Sequence, residues 1–232
     1  MAKISFTFKS KEGVTFTPRS YQFRHVAEWV SPKFSQDRTD KIGVTDGEQT
    51  PFNPQTPNFF LVYVPENMAR TQATGITSFH DREKIKKGSS GINLKETQEG
   101  HESHYQFENA PENTTYVEVT GHFKGKDNKG MEVEADVKYT IHLGDFSDGN
   151  FNNFDVERDH YYKYTVTVNG VDEIIAEVET NRENQPGAEG VVFRKGSKVR
   201  VDAHYEAVEM NIRRSVLEQG IYIYCKIGRA HV

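Results

Sequence analysis

Residues 132–143 read Glu-Val-Glu-Ala-Asp-Val-Lys-Tyr-Thr-Ile-His-Leu, and this stretch decides the fold. Val133, Ala135, Val137, Tyr139, Ile141 and Leu143 fall on one side, and Glu132, Glu134, Asp136, Lys138, Thr140 and His142 on the other. Such alternation has a period of two, which a helix cannot supply because its side chains repeat every 3.6 residues. The pattern continues on both sides of this stretch. Upstream, Val117 and Val119 share a face. Downstream, Tyr162, Tyr164, Val166 and Val168 share a core-facing side against Lys163, Thr165 and Thr167, while Tyr161 points away. That strand closes on Asn169-Gly170, a strong short hairpin signal, and the next is expected over 174–178.

Further out, residues 4–8 alternate, as do Val14 to Phe23, with a turn at Lys11-Glu12-Gly13 between them. From Ser31 to Asn58 the chain is polar and holds Pro32, Pro51, Pro54 and Pro57, which predicts a loop. Phe59-Phe-Leu-Val-Tyr-Val64 is a continuous apolar run ended by Pro65, which predicts a strand covered on both faces. Between Glu66 and Pro111 lysine and glutamate cluster around Gly88-Ser-Ser-Gly91, which predicts a long, weakly structured excursion. After Thr180 a run of turn formers leads to further alternating segments over 191–193, 199–201 and 205–212, and only 213–219 suggests a helical turn. The expected architecture is all-β, an antiparallel β-sandwich with long loops. The expected domains are a first β-sandwich over 1–180 and the start of a second, truncated β domain over 181–226.

Charge and cysteine usage exclude several classes. The 29 basic and 34 acidic residues are interspersed and give a net charge of −5, which argues against nucleic acid as a partner. The single cysteine, Cys225, permits neither an intrachain disulfide nor a cysteine-based zinc site. No apolar run is long enough to span a membrane as a helix, and the first eight residues alternate where a secretory signal would be continuously apolar. The final residues 227–232, Ile-Gly-Arg-Ala-His-Val, are encodable with the end of the Lys226 codon as AGATCGGAAGAGCACACGTC, the start of a common sequencing adapter. The expectation is therefore an adapter artefact over 227–232 and a gene cut in assembly, so that a missing signal peptide says little about location.

The candidate chemical constellations are weak. His101-x-x-His104 with Glu99 and Glu102 lies in a polar stretch without a third ligand position. Asp145, Asp148, Asn150, Asn152, Asn153 and Asp155 lack the spacing of an EF-hand and suit a strand-connecting loop. No serine sits in a nucleophile elbow, Cys225 has no recognisable base, and Glu132, Glu134 and Asp136 form the outward face of a strand. No glycine-rich loop precedes a helix. No catalytic, cofactor or metal residue is expected, and no enzymatic activity.

A family resemblance joins these segments. TTYVEVTGHF (114–123), VKYTIHLGD (137–145) and NFDVERDHYYKYTVTVNGVDEI (153–174) resemble the fimbrillin-like surface lipoproteins of Bacteroidales, in which a strand ending in Leu-Gly precedes a Phe-Asn-Val-x-Arg-Asn-x-x-Tyr segment. GVTFTPRSYQF (13–23) and FFLVYVPEN (59–67) resemble them too. ENQPGAEGVV (183–192) and VDAHYE (201–206) are similar to an uncharacterised domain found within such proteins. The pattern has asparagine where this chain has Asp155 and Asp159, an exchange between residues of similar turn roles. The resemblance implies a transthyretin-like, Greek-key sandwich, export as a lipoprotein to the outer membrane and cell surface, and a place in or on fimbriae. It implies other fimbrial subunits as partners by strand donation, surface ligands on host or bacteria, and contact with the membrane only through a lipid anchor. The alternative is a glycan-binding sandwich of a surface nutrient-capture system, which would display an aromatic platform, and Trp29 is the only tryptophan.

Overall fold

The computed structural model describes residues 1–31, 36–38, 42–96, 104–126 and 130–182. They belong to a compact unit, Met1–Glu183. The expected second domain over 181–226 and the segment 227–232 lie outside the described residues, apart from Asn181 and Arg182.

The strands are β1 (Ala2–Ser10), β2 (Thr15–Arg24), β3 (Val26–Ala27), β4 (Val44–Thr45), β5 (Thr50–Pro51), β6 (Phe59–Val64), β7 (Lys95–Glu96), β8 (His104–Tyr105), β9 (Tyr116–Lys126), β10 (Glu132–His142), β11 (His160–Gly170) and β12 (Glu173–Arg182). One short helix, α1 (Phe79–Arg82), lies between β6 and β7. Two four-stranded sheets form the sandwich: sheet A in the order β12-β11-β1-β6, and sheet B in the order β10-β9-β2-β5. The all-β sandwich expected from the alternation is thus present. Its strand pairs are antiparallel except β1 and β11, which run parallel in register from Lys3 opposite Tyr161 to Ser10 opposite Val168. The turn at Gly13 (φ +79°) therefore carries the chain from one sheet to the other and does not close a hairpin.

Alternation decides which side chains fill the space between the sheets. From sheet A come Ile4, Phe6, Phe8, Phe60, Tyr162, Tyr164, Val166 and Val168, and from sheet B Phe16, Phe23, Val117, Val119, Phe123, Tyr139 and Ile141. The aromatic excess of the sequence is spent here. Phe6 stacks on Tyr164 at 4.7 Å and on Phe60 at 5.0 Å, Tyr21 lies 3.9 Å from Phe60, and Phe16 meets Tyr139 edge-on at 5.3 Å. Each such pair adds about 0.5–1.5 kcal/mol beyond the area it buries.

Several expectations are corrected. The β11–β12 turn falls on Val171 and Asp172, with Gly170 opposite Glu173 and a register shift after Val168. Asn169-Gly170 is absorbed into β11, and Gly170 does not adopt positive φ. Strand β6 is covered on one face only, because as the last strand of sheet A it exposes Phe59, Leu61 and Tyr63. The stretch from Glu66 to Pro111 is more ordered than expected. Ser78 caps α1 by accepting a hydrogen bond from the Asp81 amide at 3.1 Å, β7 pairs with β8, and Ile85 bridges Phe107. Ala69 and Ile76 from this stretch form a small second core with Phe154.

Candidate interaction surface

The excursion roofs one end of sheet B, and this explains a polar residue on the wrong side of the expected pattern. His142 belongs to the outward row of β10 yet is only 1% exposed. Its Nδ1 lies 2.6 Å from Glu83 Oε2, its backbone N–H donates to Glu83 Oε1, and Phe107 packs edge-on against its ring at 4.4 Å. Beside it Arg24 pairs with Glu118 at 2.9 Å and with Asp46 at 3.0 Å. Lys138 reaches Glu118 at 3.0 Å, and His104 Nε2 reaches Asp46 at 2.8 Å. Glu83, Asp46 and Glu118 are thus each engaged by a cationic or imidazole partner. His104 is the described member of the candidate metal pair; His101, Glu99 and Glu102 lie outside the described residues. Among the described residues no group of three or more potential ligands is arranged to hold a metal ion.

His25 sits in this roofed cluster with φ +52° and its ring 6.1 Å from His104. Burial pulls its pKa down to about 4; Asp46 opposes the shift, and His104 and His142 reinforce it. The folded protein therefore refuses a proton that the unfolded chain accepts near pH 6.5. Stability should fall as pH drops from about 6.5 to about 4, by on the order of 2–3 kcal/mol from this residue. Urea unfolding midpoints across that window would show the decline. They should flatten in His25→Asn, since asparagine tolerates the left-handed backbone.

The uncovered end of sheet B carries a charge lattice. His122 holds Asp136 through Nδ1 at 2.8 Å and Glu134 through Nε2 at 3.0 Å, Arg19 also pairs with Asp136, and Lys124 with Glu134. These hydrogen bonds raise the pKa of His122 and lower those of both carboxylates. Strand β10, an edge of sheet B, therefore carries charge at successive outward positions. Strand β12, an edge of sheet A, does the same with Glu177 and Glu179. Charged side chains along an edge discourage a further strand from adding.

Strand β6, the other edge of sheet A, differs. It holds no charged residue, and its outward side chains are apolar: Phe59 is 38%, Leu61 40% and Tyr63 52% exposed. The Phe8 N–H donates to the Asn58 carbonyl at 2.9 Å, which fixes the phase of the β1–β6 ladder. Hydrogen-bonded and non-hydrogen-bonded pairs alternate along an antiparallel ladder, so Phe60 bonds to Phe6 and Val62 to Ile4. Leu61, opposite Ser5, turns its N–H and C=O away from β1. At Phe59 the turn uses these groups itself, with the Phe59 N–H donating to the Thr56 carbonyl at 3.1 Å. Pro65, which has no N–H, ends the strand at the other side.

The Asn/Asp-rich loop is built from short-range turns and does not converge on one point. Asp145 accepts from the Ser147 amide, Asp148 from Asn150, Asn150 from Asn152 and Asn153 from Asp155. Asp155 does more than serve a turn. Its carboxylate takes the Arg38 guanidinium and the Ala69 amide, tying the excursion to the loop. Asp159 has φ +59°, a conformation that asparagine and aspartate both accept. Tyr162 and Tyr164 are core residues as expected, Tyr161 lies on the outer face, and Trp29 is 54% exposed in the loop after β3.

A family described as Domain of unknown function (DUF4906) matches residues 62–166, less than half of the chain. A crystal structure of a proposed cell adhesion protein from Parabacteroides distasonis ATCC 8503 is similar over 77% of this chain and 50% of that one, at 11% identity and a TM-score of 0.36. The chain thus spans half the length of that protein. No curated protein matches it.

Proposed function

We propose that the chain is a non-enzymatic module of a cell-surface adhesive or fimbrial protein that assembles by β-strand addition. The observation that carries this reading is the uncharged edge β6, with three exposed apolar side chains and the Leu61 backbone groups directed outward, in a fold whose β10 and β12 edges carry charge. An added strand would gain main-chain hydrogen bonds at Leu61 and side-chain contacts along Phe59, Leu61 and Tyr63. The ordered motifs shared with fimbrillin-like proteins support the same reading. So does the engagement of the roofed carboxylates by their own partners, which leaves them poorly placed to act on a substrate.

Leu61→Pro tests it. Proline at 61 removes only an outward N–H, so the pairing with β1 survives and the melting temperature should stay within a few degrees of the parent. Fimbrial material isolated from cells producing the full protein should contain the parent chain and lack the variant, and immunogold should label the surface of intact parent cells. Equal incorporation of both chains, or label confined to the cell interior, would overturn the proposal.

A further inference from the structure

On their outer sides three strands of sheet A, β6, β1 and β11, combine aromatic rings with lysines, while the fourth strand, β12, brings glutamates to the same side. Strands β6, β1 and β11 direct twelve side chains away from the core between them: Phe59, Leu61 and Tyr63; Lys3, Ser5, Thr7 and Lys9; Tyr161, Lys163, Thr165, Thr167 and Asn169. Three are lysines and none is a carboxylate, in a chain whose net charge is −5. The carboxylates of this face begin only on β12, with Glu179 opposite Lys163 and Glu177 opposite Thr165.

Register sets the pattern within the face. Tyr63, Lys3 and Tyr161 form one row across three strands, and Leu61, Ser5 and Lys163 form the next. The Lys3 ammonium lies 4.2 Å from the centre of the Tyr161 ring, and the Lys163 ammonium lies 5.1 Å from the same centre. Two like charges are thus gathered at one ring, whose π electrons offset part of their repulsion. Tyr63, on the other side of Lys3, exposes about half of its surface. With neighbouring strands about 4.8 Å apart, Tyr63 and Tyr161 stand roughly 10 Å from each other, about the length of a disaccharide unit of an extended chain.

We infer that this face binds an acidic polysaccharide, with its carboxylates or sulfates at Lys3 and Lys163 and a sugar ring laid on Tyr63. Charge complementarity selects an anion, and the flat, aromatic, strand-spaced surface selects an extended sugar polymer over a compact ion. The lysines supply point charges without the bidentate fork that arginine brings to phosphate. The inference rests on the adhesive part of the proposed function; Tyr63 belongs to both this face and the β6 edge, whereas Lys3 and Lys163 belong to this face alone.

The test is titration calorimetry of the full chain with heparin and with polygalacturonate, using neutral dextran and a single-stranded oligonucleotide as comparisons. Binding to at least one acidic polysaccharide, none to dextran and weaker binding to the oligonucleotide is the expected result. Lys3→Ala with Lys163→Ala should weaken binding at least about tenfold, and Tyr63→Ala should weaken it beyond what added salt alone does, with circular dichroism and melting unchanged. Lys163, two strands from the β6 edge, separates this site from that edge: Lys163→Ala should weaken polysaccharide binding while the variant enters fimbrial material as the parent does, so that loss of one function leaves the other standing. Absence of polysaccharide binding, undiminished binding in the double lysine variant, or equal binding to the oligonucleotide would overturn it.

Discussion

Gly144→Ala should lower stability by at least about 4 kcal/mol, and the variant should accumulate largely unfolded. Gly144 follows Leu143 at the end of β10 with φ +136°, a conformation that side-chain-bearing residues rarely adopt. A Cβ there would stand 2.2 Å from the Asn153 carbonyl oxygen and 2.8 Å from Arg82 Nη2. The first neighbour is backbone, and the second belongs to a side chain fixed by its own bonds, so neither yields cheaply. The displacement would also break a reciprocal pair in which the Gly144 N–H donates to the Tyr164 hydroxyl at 2.9 Å and that hydroxyl donates to the Gly144 carbonyl at 2.8 Å. Tyr164 is a core residue of β11, so the damage passes from a loop into sheet A. Chemical denaturation, followed by circular dichroism at increasing urea, measures the effect. A loss of less than about 1 kcal/mol would show that the turn relaxes freely.

The second large effect is expected at Arg82, which is fully buried although it lies in a four-residue helix. Its guanidinium donates to the Phe151 carbonyl at 2.8 Å and the Leu143 carbonyl at 2.6 Å, and it lies over the Phe154 ring at 3.7 Å and near Phe146 at 4.8 Å. Burial lowers its pKa to about 10, so it stays charged at neutral pH. Two opposing effects must be weighed. Removing the side chain relieves the desolvation of a buried cation, which favours the variant. It also leaves the buried Leu143 carbonyl without this donor, at about 1–3 kcal/mol, does the same to the part-buried Phe151 carbonyl at a smaller cost, and opens a cavity beneath two aromatic rings. The second effect should win, and Arg82→Ala should lose about 3–5 kcal/mol. Arg82→Met, which restores volume without donors, should recover only part of this. Recovery to the parent value in the methionine variant would show that packing, and not the hydrogen bonds, matters at this position.

These two residues show what the sequence made legible. The alternation over 132–143 and 162–168 identified strands, faces and most of the core, because period-two burial is a local property. The Leu-Gly pair was recognisable as a motif, but its reason was not, since Gly144 answers to Asn153, Arg82 and Tyr164. The same applies to His142. Its position in an outward row is correct, and its burial follows from a roof contributed by residues some sixty positions earlier in the chain. Helix α1 had a readable signal in Ser78 and Asp81, the capping residue and its partner three positions on, masked by the polar composition around it. For Phe59 to Val64 the continuous apolar run pointed to cover on both faces. Its place at the margin of sheet A depends on β1 choosing β11 as its other neighbour, which nothing local to 59–64 encodes. The row of Tyr63, Lys3 and Tyr161 was invisible for the same reason, as its members come from three distant parts of the chain.

The parallel pairing of β1 with β11 has a consequence for biosynthesis. Residues 2–10 emerge from the ribosome about 150 residues ahead of 160–170, one of their two flanking strands. Until then the nascent chain carries Ile4, Phe6 and Phe8 without their final enclosure, and sheet A can close only in a late, concerted step. Long sequence separation makes such closure slow and leaves sticky intermediates in the meantime. The yield of native protein in cells should therefore depend on chaperones that hold the growing polypeptide, more than its finished stability would suggest.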